Sequence, residues 1–215
     1  MPGKIPSTMT FTRLSNAAVT MDTLVTMDSN GAVGPSAVGD DPLGVSLNGA
    51  SASGAEITVD PGPAVANLTA SGLFSADDYV IPAAAGAVKK YLGQAGVTVT
   101  VANATDIWTA TAHGLTTGEA VRLTNSGGAL PAGTDATTTY YVNVIDANTF
   151  YLFDTRAHAV AGGATGLVNA TGDGTGTHSF RLYGNIFIVG VALEAATTVG
   201  QKAAIFQNKR QLILP

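Results

Sequence analysis

The sequence predicts an all-β protein: a discontinuous β-barrel or sandwich domain with a second, small β-domain inserted into it. Three observations carry this. Short runs rich in Val, Ile, Thr, Tyr and Phe recur between Gly, Pro, Asn and Asp turn signals, the spacing that marks all-β folds. A stretch from about Val97 to Phe180 has its own texture, with strict alternation at Val97, Val99 and Val101. On either side of it stands one pattern, G-V-x-L-x-x-A-x-x-x-G. Gly44, Val45, Leu47, Ala50 and Gly54 match Gly190, Val191, Leu193, Ala196 and Gly200 in order and spacing.

The elements follow in order. Residues 1–30 are expected to form an extended arm, because "MPGKIPST" carries two prolines and Ala18–Asp28 alternates only roughly. "SNGAVGPSAVGDDPLG" is a series of turns. Leu43, Val45 and Leu47 then alternate with small residues as a half-buried strand does, and Ile57–Val59 resumes a strand. Val65–Ala70, Asp78–Pro82 and Ala87–Leu92 read as three further strands, although "PAAAGAVKKYL" also suits one turn of helix, Ala being the best helix former. Val121–Thr124, Thr139–Ile145 and Thr149–Phe153 are strands by β-branched and aromatic content. Asp146-Ala147-Asn148 turns the last two into a hairpin. "AVAGGATGLVNATGDGTGTHSF" has too many glycines for helix and reads as loops around short strands. Ile186–Leu193, Lys202–Phe206 and Gln211–Leu214 are strands, with a small-residue turn at Glu194–Val199. The domains expected are an arm over 1–30, a discontinuous β-domain over 31–96 plus 181–215, and an insertion over 97–180.

In each copy of the repeated pattern, a glycine entering a strand permits close backbone approach or a bulge. Val and Leu two apart face one core, and the final Gly lets the chain turn. Val45 and Val191 are therefore expected in one core.

Composition narrows the function. The chain has 215 residues, 46% hydrophobic and only 12% charged, about half the usual share. A surface so poor in charge suits a protein that buries surface in an assembly. The net charge is −5, and the basic residues are scattered, the densest pairs being Lys89-Lys90 and Lys209-Arg210. A nucleic-acid binder needs them clustered, so no nucleic acid is expected. There is no cysteine, which excludes disulfides and thiolate metal sites. The N-terminus lacks a signal-peptide apolar core, and no run of about 18 apolar residues is present to span a membrane.

Reactive chemistry is hard to assemble from these residues. His113, His158 and His178 all fall in the insertion, and their spacing is unlike a zinc-binding helix. His113 is expected to bond within a turn and the other two to lie on the surface. "GDGTGTH" (Gly172–His178) and "GDDP" (Gly39–Pro42) lack the alternating carboxylates of a calcium loop. Asp40-Asp41 and Asp77-Asp78 are neighbours, which point to opposite faces of a strand. Trp108, Tyr140, Tyr141, Phe150, Tyr151 and Phe153 supply either a sugar platform or, by alternation, the core of the insertion. No catalytic residue, cofactor or metal ligand is assigned, and the chain is not expected to be an enzyme.

"DPLGVSLNGASASGAEITV", "ANLTASGLFSADDYVIPAAAGAVKKY" and "IVGVALEAATTVGQKAAIF" resemble the capsid cement, or head decoration, proteins of tailed bacteriophages. Ser71–Val80 and Gly86-Ala87-Val88 fit that family's second motif, except that Asp77 stands where it has Gly. The resemblance covers about residues 40–93 and 186–206. The insertion is similar to a small β-module of phage structural and tail-fibre proteins. Its hallmarks stand here at His113–Val121, Leu130–Gly133, Thr138–Val142 and Asp146–Phe150. These resemblances imply a virion protein on the outer surface of the capsid, made in the host bacterial cytoplasm, that bridges major capsid protein subunits and stabilises the expanded head. They imply a homotrimer at three-fold or quasi-three-fold positions, with no nucleic acid or membrane partner. A tail-fibre or receptor-binding module for host glycans is the alternative, and a surface-polysaccharide hydrolase the third reading.

Overall fold

A computed structural model describes residues 9–37, 40–93 and 95–214. Sixteen strands, one short α-helix and one 3-10 turn (Ala84–Gly86) make up the regular structure of these residues, so the fold is all-β as the pattern predicts. The chain divides into two compact units. One comprises Met1–Tyr91 and Asn185–Ile213, and the other is built on Leu92–Gly184.

The first unit holds two five-stranded sheets. Strands β1 (Phe11–Leu14), β2 (Leu24–Met27), β3 (Val33–Pro35), β4 (Gly44–Ser46) and β5 (Glu56–Asp60) form one in the order β1-β5-β4-β2-β3. Strands β6 (Ala64–Thr69), β7 (Tyr79–Pro82), β8 (Val88–Lys90), β15 (Gly184–Ala192) and β16 (Lys202–Leu214) form the other in the order β6-β16-β15-β7-β8. Written by position, the two orders are the same, so the unit is a duplicated five-strand fold. The second unit's sequence enters the second copy between its third and fourth strands.

The duplication holds residue by residue. Phe11 pairs with Val59 in the first sheet, and Ala66 with Ile205 in the second. Leu24 pairs with Val45, and Tyr79 with Val191. Single bridges join Ser15 to Val33 and Ala70 to Val88, then Val19 to Ala50 and Phe74 to Ala196. The Gly54 N–H donates to Ser15 O at 2.7 Å, and the Gly200 N–H to Ala70 O at 2.7 Å. Positions in the first three strands recur 55 residues on (Ser15 to Ala70), and those in the last two recur 146 on (Ala50 to Ala196). The inner cores correspond too. Val19, Val25, Val33, Ala50, Ile57 and Val59 are buried together in the first copy. Their counterparts Phe74, Val80, Val88, Ala196, Ala203 and Ile205 are buried together in the second.

Several expectations are corrected. Within the expected arm, residues 1–8 lie outside the described residues, but 9–30 supply β1 and β2. Strand β1 gave little pattern because it is an edge strand with Thr12, Arg13 and Leu14 all exposed; only Phe11 packs against the core. Val45 and Val191 do not share a core. Val45 is fully buried among second-copy residues such as Val189, whereas Val191 is only partly buried, opposite exposed Tyr79. Residues 202–214 form one long strand, not two.

The second unit is a closed six-stranded barrel. Strands β9 (Val97–Ala102), β10 (Ile107–Thr109), β11 (Ala120–Ser126), β12 (Tyr140–Val144), β13 (Thr149–Phe153) and β14 (Thr177–Leu182) close in the order β10-β13-β12-β11-β14-β9. Closure removes exposed strand edges. Trp108, Phe150 and Phe180 fill the interior, each no more than 1% exposed. The glycine-rich stretch expected to be loop contains the end of a helix, α1 (Arg156–Ala161). Thr155 caps its N-terminus by accepting the His158 N–H, and Gly162 ends it. So short a helix is set by its caps rather than by any period.

Candidate functional site

The side chains singled out for chemistry are committed to holding turns. His113 is 2% exposed. Its Nδ1 accepts the Leu115 N–H at 3.0 Å, which leaves Nε2 to donate to the Asp146 carbonyl at 3.0 Å. Asp146 Oδ1 accepts the N–H groups of Asn148 and Thr149 at 2.7 and 2.9 Å, and Asn148 Oδ1 accepts that of Ala112 at 2.9 Å. The histidine and "DANTF" hallmarks are thus two turns tied to each other. Glu119 of the same motif is 4% exposed, and its Oε2 accepts the Thr116 N–H at 2.7 Å.

His158 stands half-exposed, 2.6 Å from Asp154. His178 is not on the surface as expected: it is 7% exposed, with Nε2 donating to Asp173 O at 2.9 Å. It alternates inward with Phe180 and Leu182, a signal present in the sequence. The histidines do not converge, and among the described residues no three or more His, Cys, Asp or Glu side chains group as metal ligands. The aromatic residues divide by strand parity. Trp108, Tyr140 and Phe150 are buried inside the barrel, while half-buried Tyr141 and Tyr151 lie on the other face together with Phe153, which is buried there beside Leu167.

The paired aspartates also separate. Asp78 lies 2.9 Å from Lys90. Burial pushes its pKa up, but the Lys90 hydrogen bond, the Ser75 N–H and the Lys90 charge outweigh it, and the net direction is down. Asp77 sits in a turn at φ 69°, as its counterpart Asp22 does at φ 60°. In "GDDP", Gly39 lies outside the described residues; Asp40 accepts the Ala37 N–H at 2.8 Å, and Asp41 meets Lys209 at 2.6 Å.

Asp135 locks the turn before β12. It accepts the side-chain hydroxyls of Thr138 and Thr137, then their N–H groups, and these bonds hold its carboxyl far below the ordinary 3.8. A depressed folded pKa means that the stabilisation is complete above the unfolded value and is lost as pH falls through the folded one. A titration of Asp135 by carboxyl carbon NMR is expected to show a midpoint well below 3.8. Replacing Thr137 and Thr138 by valine should bring it back towards 3.8, and an ordinary midpoint in the unchanged chain would refute the assignment.

What remains is a surface, and the duplication defines it. The outer face of the first sheet carries Leu24, Val45 and Asp60, all 1% exposed or less, because second-copy residues cover it. The equivalent row on the second sheet is Tyr79, Val191 and Phe206. Tyr79 is 44% and Phe206 40% exposed, with half-buried Val65 paired to Phe206. The Arg210 guanidinium lies 4.9 Å from the centre of the Tyr79 ring. The sequence could not reveal this face, since the residues at its equivalent positions are covered in one copy and bare in the other.

No protein-family model matches the chain, and no curated protein matches it either.

Proposed function

We propose that this chain is a structural protein of a phage virion that binds the outer capsid surface and cements the expanded head. The observation that carries the reading is where the resembling segments lie. The three stretches similar to cement proteins are far apart in sequence, yet all three belong to the duplicated unit, as β4–β5, β6–β8 and β15–β16. The low charge and the bare apolar row support a protein whose role is contact.

The mechanism is physical. Each copy bridges neighbouring major capsid protein subunits, and a ligand that binds only the expanded lattice lowers the free energy of that lattice by mass action. Copies act as homotrimers at three-fold or quasi-three-fold positions. The duplicated unit makes the capsid and intersubunit contacts. Purified protein is expected to co-sediment with expanded heads and not with unexpanded shells. Heads lacking it are expected to break at lower temperature or milder chelator stress. Absence of binding, with unchanged head stability, would end this reading.

The barrel's similarity to tail-fibre modules favours a second reading, a glycan-binding component of the tail. Immunogold labelling of tail tips instead of heads would replace the first reading with it.

A further inference from the structure

We infer that the bare row Tyr79–Val191–Phe206 is the seat for the first copy of the duplicated fold in another molecule of the same chain, packed as the second copy packs on the first within one molecule. This deepens the proposed self-association, and so rests on that reading, by giving it a surface.

Inside one chain, the turn ending at Gly86 sits on the first sheet so closely that a Cβ there would strike Thr23 and Leu24. The Gly86 N–H donates to Ser36 O at 2.8 Å. Gly86 is therefore a knob, and Thr23–Leu24 its socket. The equivalent knob is Gly31, which Asp28 holds out by accepting the Asn30 and Ala32 N–H groups at 2.9 and 3.0 Å. A Cβ on Gly31 would meet nothing within 4 Å. The equivalent socket is Asp78–Tyr79, where Tyr79 is 44% exposed. One chain thus shows a filled knob and socket, and an open knob with an open socket. A two-fold relation between the copies would have filled both. The contact is heterologous, between unlike faces, and such contacts build rings when the rotation closes. Three-fold positions need that arrangement.

One feature of the internal junction is absent from its external counterpart. Lys202 Nζ reaches Asp22 Oδ2 at 3.3 Å across the internal junction. The equivalents of Lys202 and Asp22 are Glu56 and Asp77, both acidic and both exposed. Two carboxylates facing each other oppose association, so the external contact is weaker than the internal one and is screened towards greater strength by salt. Docking also displaces Arg210 from the Tyr79 ring.

The experiment is sedimentation equilibrium of the full chain over a dilution series. The unchanged protein is expected to exceed the 21.6 kDa of one chain at high concentration. Tyr79→Asp with Phe206→Asp, both at exposed sites, is expected to weaken assembly by at least about tenfold with the melting temperature retained. Glu56→Lys is the decisive variant. It recreates the Lys202–Asp22 pair between molecules and is expected to tighten assembly about five- to tenfold, most at low salt. A chain that stays monomeric throughout, or a Glu56→Lys variant no tighter than the unchanged chain, overturns the inference. Assembly unaffected by the double aspartate variant does so as well. Head co-sedimentation is read separately, so failure of this surface and failure of capsid binding give different results.

Discussion

Replacing Gly190 by valine is expected to unfold the two sheets of the first unit while the barrel stays folded. Gly190 lies in β15 where the neighbouring strand β16 passes very close. A Cβ there would strike the Phe206 carbonyl oxygen and come within 2.8 Å of its carbon and 3.0 Å of Gln207 Cα. These are backbone atoms, so relief requires β15 and β16 to separate. Gly44 stands at the equivalent place, against the Asp60 carbonyl and Pro61, and Gly44→Val is expected to behave alike. Overpacking a tight core commonly costs about 1–3 kcal/mol, and a clash with fixed backbone belongs at or above the top of that range. That is a large part of the ~5–15 kcal/mol of a whole domain. Gly54 and Gly200 provide the contrast. They sit at φ 87° and 86° with open space around them, so alanine there costs only the left-handed penalty of about 1–2 kcal/mol. Hydrogen exchange would read β6, β7, β15 and β16 directly. The one tryptophan, Trp108, is buried in the barrel, and its fluorescence follows that unit separately. Gly190→Val costing no more than Gly200→Ala would contradict this account.

The same glycines explain how far the duplication could be read from sequence. The shared residues are those with a backbone or packing reason to stay. Gly44 and Gly190 admit a neighbouring strand, Ala50 and Ala196 form equivalent bridges, and Gly54 and Gly200 turn the chain. A second echo runs through the first three strands of each copy. Asp22, Val25 and Gly31-Ala32-Val33 recur as Asp77, Val80 and Gly86-Ala87-Val88, again at positive-φ turns and core positions. The first-copy residues of this echo fall in the expected arm and run of turns, because the strands between them are short. Inner positions change identity but stay apolar, as in Val19 and Phe74 or Ile57 and Ala203, whereas the outer faces change in character. Leu24 and Asp60 stand where the second copy has Tyr79 and Phe206, and one face meets the other copy while the other does not. Val45 and Val191 therefore share a position in the fold but not an environment. Matching residues share a place in the fold, and only the three-dimensional arrangement tells which copy of that place is covered. The candidate face was illegible for this reason, whereas the barrel core was legible from alternation alone at Val121 and Leu123, Tyr140 and Val142, and Phe150 and Leu152.

Truncating Trp108 to alanine is expected to cost the barrel about 3–5 kcal/mol, the range for removing a large buried aromatic. The ring is fully buried on β10, beside Val101 on β9 and Phe150 on β13. Phe150 meets Phe180 edge to face at 5.6 Å, and His113 meets Phe150 at 5.1 Å. The void would therefore open beside the aromatic cluster that fixes the histidine turn. Backbone ladders on both sides of β10 are closed into the barrel, so the wall cannot collapse inward without breaking them. Trp108→Phe separates packing from polarity. The indole Nε1 is buried with no hydrogen-bond partner, and removing an unsatisfied donor offsets part of the lost volume. Phenylalanine is thus expected to cost much less than alanine, on the order of 1 kcal/mol. Both variants lose the fluorescent probe, so calorimetry of the full chain and hydrogen exchange at β10–β13 provide the readout. The barrel transition should fall by tens of degrees in Trp108→Ala, at roughly 4–8 °C per kcal/mol for a unit of this size, and by only a few degrees in Trp108→Phe. Equal losses in the two variants would mean that the indole N–H has a partner, and that polarity rather than volume holds β10 in the barrel.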